Sequence, residues 1–138
     1  MKKEIQNILA YFGKRKEVVT LFLFGTFATP KEKRHSDIDL AVLLDPGELK
    51  GQNSEVFKAE YYNASPSFSL RSLDIVVLNT APASLKYEIL KTGSILMDRN
   101  PDVRRYFTAL TLQEYFDYKF IEEICFAALK KRLREAHG

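Results

Sequence analysis

Residues 21–44 read LFLFGTFATPKEKRHSDIDLAVLL, and this stretch decides the fold. The β-branched and aromatic run Val18–Phe24 ends abruptly at Gly25-Thr26, which predicts a buried strand. After ten further residues, Asp37-Ile38-Asp39 opens a second apolar run that continues to Leu44. The sequence therefore predicts two buried strands that are joined by a polar loop.

Asp37 and Asp39 form a carboxylate pair at the head of the second strand. Because side chains alternate along a strand, the two carboxylates share one face and lie about 7 Å apart. Two like charges at the start of an apolar strand are costly unless something compensates them. A hard divalent cation such as Mg²⁺ prefers carboxylate oxygens, so the pair predicts a site for one or two such ions.

Asp74 is the third candidate carboxylate, because it interrupts a predicted third strand at residues 73–78. If this strand pairs beside the second one, Asp74 completes a triad and can take a proton from an attacking hydroxyl. Gly25 and Thr26 offer a close backbone approach and a hydroxyl for phosphate oxygens. Each feature alone has a simpler explanation, such as a solvated turn, but their joint occurrence favours a site.

The remaining pattern predicts an α/β (α+β) domain with a mixed sheet of about four strands flanked by helices. We expect a single domain over residues 1–138, with a core at about 1–98 and a helical tail at about 101–138. Further elements are predicted as helices at 2–12, 54–62 and 82–91, a short strand at 94–97, and a tail helix with a break near Thr111. Ser54 is the predicted cap of the helix at 54–62.

Composition narrows the class of protein. With 46% hydrophobic and 28% charged residues, the 138-residue chain is typical of a globular domain. Its net charge of +3 permits an anionic ligand but argues against direct nucleic-acid binding. No apolar run reaches the ~20 residues of a membrane span and no signal peptide is visible, so we expect a cytoplasmic protein. The single cysteine, Cys125, is predicted to fill the core.

The tail is unusually aromatic. Residues 106–126 hold seven of the 17 aromatic residues of the chain. The apolar residues of the tail form two rows at helical spacing that could face a core, and Tyr115 and Tyr118 lie outside both rows. Tyrosine is enriched at protein interfaces. The tail is therefore either a core helix or part of an interface with a partner.

The motif G-T, ten residues, D-x-D, followed by a later strand aspartate, resembles that of the DNA polymerase β-type nucleotidyltransferase superfamily. The resemblance covers about residues 5–98. The small size is similar to that of the minimal nucleotidyltransferase (MNT) antitoxins of HEPN–MNT toxin–antitoxin pairs, and the segment 73–107 is similar to their third strand, following helix and final short strand.

The resemblance implies an enzyme that transfers AMP from ATP to a tyrosine of a partner HEPN ribonuclease toxin and so silences it. It implies Mg²⁺, with two ions, on Asp37, Asp39 and Asp74. It also implies that Gly25, Thr26 and Ser36 hold the triphosphate. The implied assembly is a hetero-oligomer with the toxin, and a homodimer of the isolated chain stays open.

Three alternatives remain. The chain could neutralise its toxin by binding alone, an option raised by Thr26, where the family usually has serine. It could modify a small molecule such as an aminoglycoside, although it has no room for an acceptor domain. A D-x-D glycosyltransferase is disfavoured because those folds need a much longer chain.

Overall fold

The structure is a computed structural model, and it describes residues 2–25 and 37–137. Four helices and four strands make up this part of the chain. In chain order they are α1 (Lys2–Gly13), β1 (Val18–Phe24), β2 (Ile38–Leu44), α2 (Ser54–Ala64), β3 (Leu73–Val77), α3 (Ala83–Thr92), β4 (Ser94–Asp98) and α4 (Pro101–His137).

The strands form one mixed sheet in the order β3-β2-β1-β4. Strand β1 is antiparallel to both of its neighbours, whereas β2 and β3 run parallel. The parallel pair is joined by a crossover that contains α2, as parallel strands require. The predicted mixed sheet of four strands is confirmed.

Both faces of the sheet are covered by helices. Helices α1 and α2 cover one face, where the fully buried Phe12 and Tyr61 pack edge to face with ring centroids 5.1 Å apart. Helix α3 and the first turns of α4 cover the other, where Ile89 and Phe107 pack on the strands. Because both faces are covered, β1 and β2 read as nearly continuous apolar runs rather than alternating ones.

The start of α2 differs slightly from expectation. The sequence predicts Ser54 as the helix cap, but Ser54 is the first helical residue and the side chain of Asn53 accepts a hydrogen bond from Glu55 N–H at 3.0 Å. Asparagine caps a helix as well as serine does, so the two neighbouring residues could not be separated by type alone.

Helix α4 is one continuous helix of 37 residues, so the predicted break near Thr111 is wrong. Thr111 is only 1% exposed and lies where α4 still packs on the domain. Just beyond it, Tyr115 stacks on Tyr87 of α3 with ring centroids 3.9 Å apart. A threonine lowers helix propensity only slightly, and tertiary packing overrides it here.

The prediction that Cys125 fills the core is also wrong, because the cysteine is exposed. Its apolar neighbours suggested burial, but this part of α4 extends past the domain and packs against none of its strands. None of the helices in the described ranges is both long enough and apolar enough to cross a membrane.

Candidate active site

Asp39 and Asp74 are direct neighbours across the parallel strands β2 and β3, which pair residue for residue from Ile38↔Leu73 onward. Neighbouring strands lie about 4.8 Å apart, so two side chains at one register position lie side by side. Asp74, the aspartate that interrupts the third strand, therefore lies beside Asp39, as the sequence predicts for a third carboxylate. The two carboxylates lie on the sheet face that α3 and α4 cover, beyond the end of that cover.

Asp37 completes the carboxylate group from just before β2, where it is exposed. The pKa of Asp39 is raised, first by partial burial and then by the negative charges of Asp74 and Asp37. Each of these causes disfavours the ionised form. Asp37 and Asp74 thus act electrostatically on Asp39, which is a condition that a bound cation relieves.

Gly25 forms the opposite wall of the site. It follows β1, whose last residue, Phe24, pairs with Asp39. Its backbone has a φ of +71°, a conformation that side chains rarely adopt, and a Cβ at this position would overlap the Oδ2 atom of Asp39. Glycine is therefore required here for two reasons, backbone conformation and the close approach of the carboxylate.

Tyr62 is a residue of the site that the sequence analysis missed. Its hydroxyl accepts a hydrogen bond from Ile75 N–H at 2.8 Å and lies 3.5 Å from Oδ1 of Asp74. The tyrosine belongs to α2, which packs on the opposite face of the sheet, and its ring reaches around the edge strand β3. No sequence signal marks it, because the contact joins two elements with unrelated periodicities.

The donor set fits a hard divalent cation, since all three candidate side chains are carboxylates that share one end of the sheet. Within residues 2–25 and 37–137, however, no three His, Cys, Asp or Glu side chains are grouped closely enough to hold a metal ion as they stand. The structure provides one adjacent pair, Asp39 and Asp74, with Asp37 two positions before the pair. A third ligand has to come from Asp37 or from a substrate phosphate.

The other predicted site residues fall outside the described ranges. Thr26 and Ser36, the candidate phosphate ligands, belong to residues 26–36, as do the cationic residues Lys31, Lys33 and Arg34. Their assignment to the triphosphate stays a prediction.

A comparison with protein families identifies most of this chain. Residues 6–102 match the family model described as polymerase beta, nucleotidyltransferase. The match includes all four strands and every candidate carboxylate. No curated protein sequence matches the chain significantly.

Solved structures share the fold over nearly the whole chain. One is a crystal structure of a toxin–antitoxin with AMP-PNP, which is 19% identical with a TM-score of 0.63, over 91% of this chain and 98% of that chain. Another is a tri-AMPylated HEPN toxin in complex with MNT antitoxin from Shewanella oneidensis, 16% identical with a TM-score of 0.59, over 94% and 98%. A third structure, also from Shewanella oneidensis, is 17% identical with a TM-score of 0.68, over 94% of this chain and 99% of that chain. At these identities the likeness establishes the fold.

Proposed function

This chain belongs to the polymerase β nucleotidyltransferase family, and we propose that it transfers AMP from ATP to a tyrosine hydroxyl of a partner HEPN toxin, as the antitoxin of the pair. The observation that carries the proposal is the register of Asp39 with Asp74, which joins the D-x-D pair to a third carboxylate at one end of the sheet. A nucleotidyltransferase needs such a group of carboxylates beside a surface that phosphates can approach.

Asp37, Asp39 and Asp74 would hold Mg²⁺ in this proposal. When bound, the ion neutralises phosphate charge and makes the α-phosphorus more electrophilic. Partial burial and like charges raise the pKa of Asp39, so an ionised Asp39 at neutral pH favours a cation beside it.

In the proposed reaction, the tyrosine oxygen attacks the α-phosphorus of ATP. A new phosphorus–oxygen bond forms to the tyrosine, the bond between the α-phosphorus and the bridging oxygen breaks, and pyrophosphate leaves. Asp74 accepts the proton of the attacking hydroxyl, since it is the exposed member of the cross-strand pair and lies nearest to the sheet edge. An ordinary tyrosine has a pKa of about 10, so removal of its proton at neutral pH needs such a base.

Gly25 is the described part of the proposed triphosphate site. With no side chain, and with Asp39 against it, Gly25 leaves the backbone open to an approaching phosphate. Thr26 and Ser36 would add hydroxyl groups that bind phosphate oxygens. The cationic residues Lys31, Lys33 and Arg34 would stabilise the charge that develops on pyrophosphate.

The partner is proposed from the solved structures that share the fold. Two of them are described as toxin–antitoxin complexes, one with an ATP analogue and one with an AMPylated HEPN toxin.

The test is incubation of the purified chain with Mg²⁺, ATP and its HEPN-family partner protein, followed by mass spectrometry of that protein. We expect the mass of AMP to be added to a tyrosine. Asp74→Asn should retain appreciable Mg²⁺·ATP binding, because Asp37 and Asp39 remain, but lose transfer on the order of 10²-fold or more, as for loss of a general base. Asp102→Asn is the matched control, because Asp102 is exposed at the start of α4, away from the sheet end.

Two outcomes would replace the proposal with an alternative. If the wild type adds no AMP but still suppresses the toxicity of its partner, the chain is an antitoxin that acts by binding alone. If AMP is added to an aminoglycoside and not to the protein, the acceptor is a small molecule. Equal ATP affinity with and without EDTA would exclude the metal-dependent site.

A further inference from the structure

The distal half of α4 presents apolar side chains that nothing else in the described part of the chain covers. From Phe116 to His137, every residue except Lys119 is exposed. The large apolar side chains are each more than half exposed: Phe116, Tyr118, Phe120, Ile121, Ile124, Phe126, Leu129 and Leu133. An apolar surface of this extent on a helix marks a contact with another chain.

One stripe of this helix is symmetric about Ile124. Phe120, Ile121, Ile124, Ala127 and Ala128 follow the spacing i, i+1, i+4, i+7, i+8 and therefore share one face of the helix. Three positions before Phe120 on the same face is Asp117, and three positions after Ala128 is Lys131. When the helix is turned end to end about Ile124, the large residues of the stripe take the positions of the small ones. The acidic Asp117 takes the position of the basic Lys131 in the same way.

The charges of the whole segment have the same symmetry. Residues 113–123 contain four acidic residues and one lysine, residues 124–129 contain no charge, and residues 130–137 contain four basic residues and one glutamate. Two such helices side by side in the same direction would place like charges together. When the two helices run in opposite directions, the acidic block of each copy faces the basic block of the other, so one pair of helices contains two such contacts.

We propose that α4 pairs antiparallel with α4 of a second copy of this chain, with the two-fold axis at Ile124. Phe120 of one copy then packs beside Ala128 of the other, Ile121 beside Ala127, and Asp117 lies opposite Lys131. The small alanines let the two helices approach closely where the aromatic side chains of the other copy fill the space. The pairing does not depend on the proposed transfer of AMP, because the segment lies outside the sheet that carries the carboxylates.

The first test compares Ile124→Glu with Leu129→Glu by sedimentation equilibrium of the full chain. The two side chains are almost equally exposed, at 53% and 52%, but only Ile124 lies on the stripe. We expect the wild type to form a dimer. Ile124→Glu should raise the dissociation constant of the dimer about 100-fold or more, because two carboxylates would meet on the axis, whereas Leu129→Glu should change it by no more than a few-fold. Unchanged thermal unfolding of both variants at a low protein concentration, where the wild type is also monomeric, excludes misfolding as the cause.

The second test determines the direction of the two helices. Asp117→Lys and Lys131→Asp should each weaken the dimer by about tenfold, since each creates two repulsive contacts, and the double exchange in one chain should restore it. A parallel dimer would not be restored. Cys125, the single cysteine, lies on one flank beside the axis, so a short bis-maleimide reagent should link two copies of the wild type.

Three results would overturn the proposal. One is a wild-type chain that stays monomeric at the highest attainable concentration. Another is equal disruption by Ile124→Glu and Leu129→Glu, which would contradict the stripe. The third is binding of the stripe to the HEPN protein by a chain that forms no dimer when that protein is absent. This result would assign α4 to the interface with the HEPN protein.

Discussion

Asp39 and Asp74 stand at one register position on the parallel strands β2 and β3, and the pKa of Asp39 is raised, first by partial burial and then by the negative charge of Asp74. This relationship marks the end of the sheet that we propose as the functional site, because two carboxylates on adjacent strands are unfavourable without a cation. It also depends on a parallel pairing, which a chain can make only through a long crossover.

We expect Gly25→Ala to weaken Mg²⁺·ATP binding by about tenfold or more, since a Cβ at Gly25 would force the Asp39 carboxylate to move. Gly51→Ala is the matched control. Gly51 has a similar φ of +78° but nothing within 4 Å of a new Cβ. Both variants should lose about 1 kcal/mol of stability from the backbone conformation, and only the first should lose affinity in calorimetry. Equal affinities would mean that Asp39 does not bind the metal.

Asp39→Asn should increase the free energy of unfolding at pH 7 without added metal, by at most about 1 kcal/mol because the carboxyl is partly exposed. The raised pKa of Asp39 means that the folded chain holds this proton at a pH where the unfolded chain has lost it. Its contribution to stability therefore falls as the pH rises from the ordinary carboxyl pKa through the raised one. Denaturant unfolding should show that the gain disappears at low pH, and a gain that persists there would contradict this cause.

Tyr62→Phe should lower Mg²⁺ affinity by a few-fold, because the hydroxyl beside Asp74 and its hydrogen bond from Ile75 N–H are lost. Tyr61→Phe is the matched control. It removes the hydroxyl of the preceding residue, which donates a hydrogen bond to Glu17 at 3.2 Å in the core. Each loss should cost about 1 kcal/mol of stability. Metal-induced shifts in thermal unfolding should be reduced only in Tyr62→Phe, and a reduction in both would assign the effect to general loosening.

The stability of the wild type should fall as the pH rises above about 10, the ordinary tyrosine pKa. Burial and the charge of Glu17 raise the pKa of Tyr61 far above that value, so the unfolded chain ionises first and is favoured. Tyr61→Phe should lose less stability between pH 9 and pH 11 than the wild type, on the order of 1 kcal/mol less per pH unit. Parallel curves for the two proteins would show that Tyr61 does not contribute.

Tyr115→Ser should destabilise the domain by about 1–2 kcal/mol, whereas Tyr118→Ser should stay within about 0.5 kcal/mol. Tyr115 stacks on Tyr87 of α3, but Tyr118 is 51% exposed. Thermal unfolding of the two variants at low protein concentration, where helix pairing is absent, provides the measurement. A large loss in Tyr118→Ser would mean that the distal half of α4 folds back on the domain.

The sequence by itself determined the strands and the facing of the D-x-D pair. The hydrophobic periods of a strand and of a helix are local properties. The runs Val18–Phe24 and Ile38–Leu44 can therefore be recognised as strands from a few consecutive residues. The alternation that places Asp37 and Asp39 on one face follows from the same local geometry. The spaced motif then gave the family, which the match over residues 6–102 confirms.

Only the tertiary structure decided which distant residues meet. The neighbours of Asp74 are Asp39 across a parallel ladder and Tyr62 around a strand edge, and neither contact has a period in the sequence. The same holds for the tail, where apolar neighbours suggested a buried Cys125 although the domain ends before it. Burial depends on what lies across from a side chain, and a single sequence specifies that surface only through the packing of the whole chain.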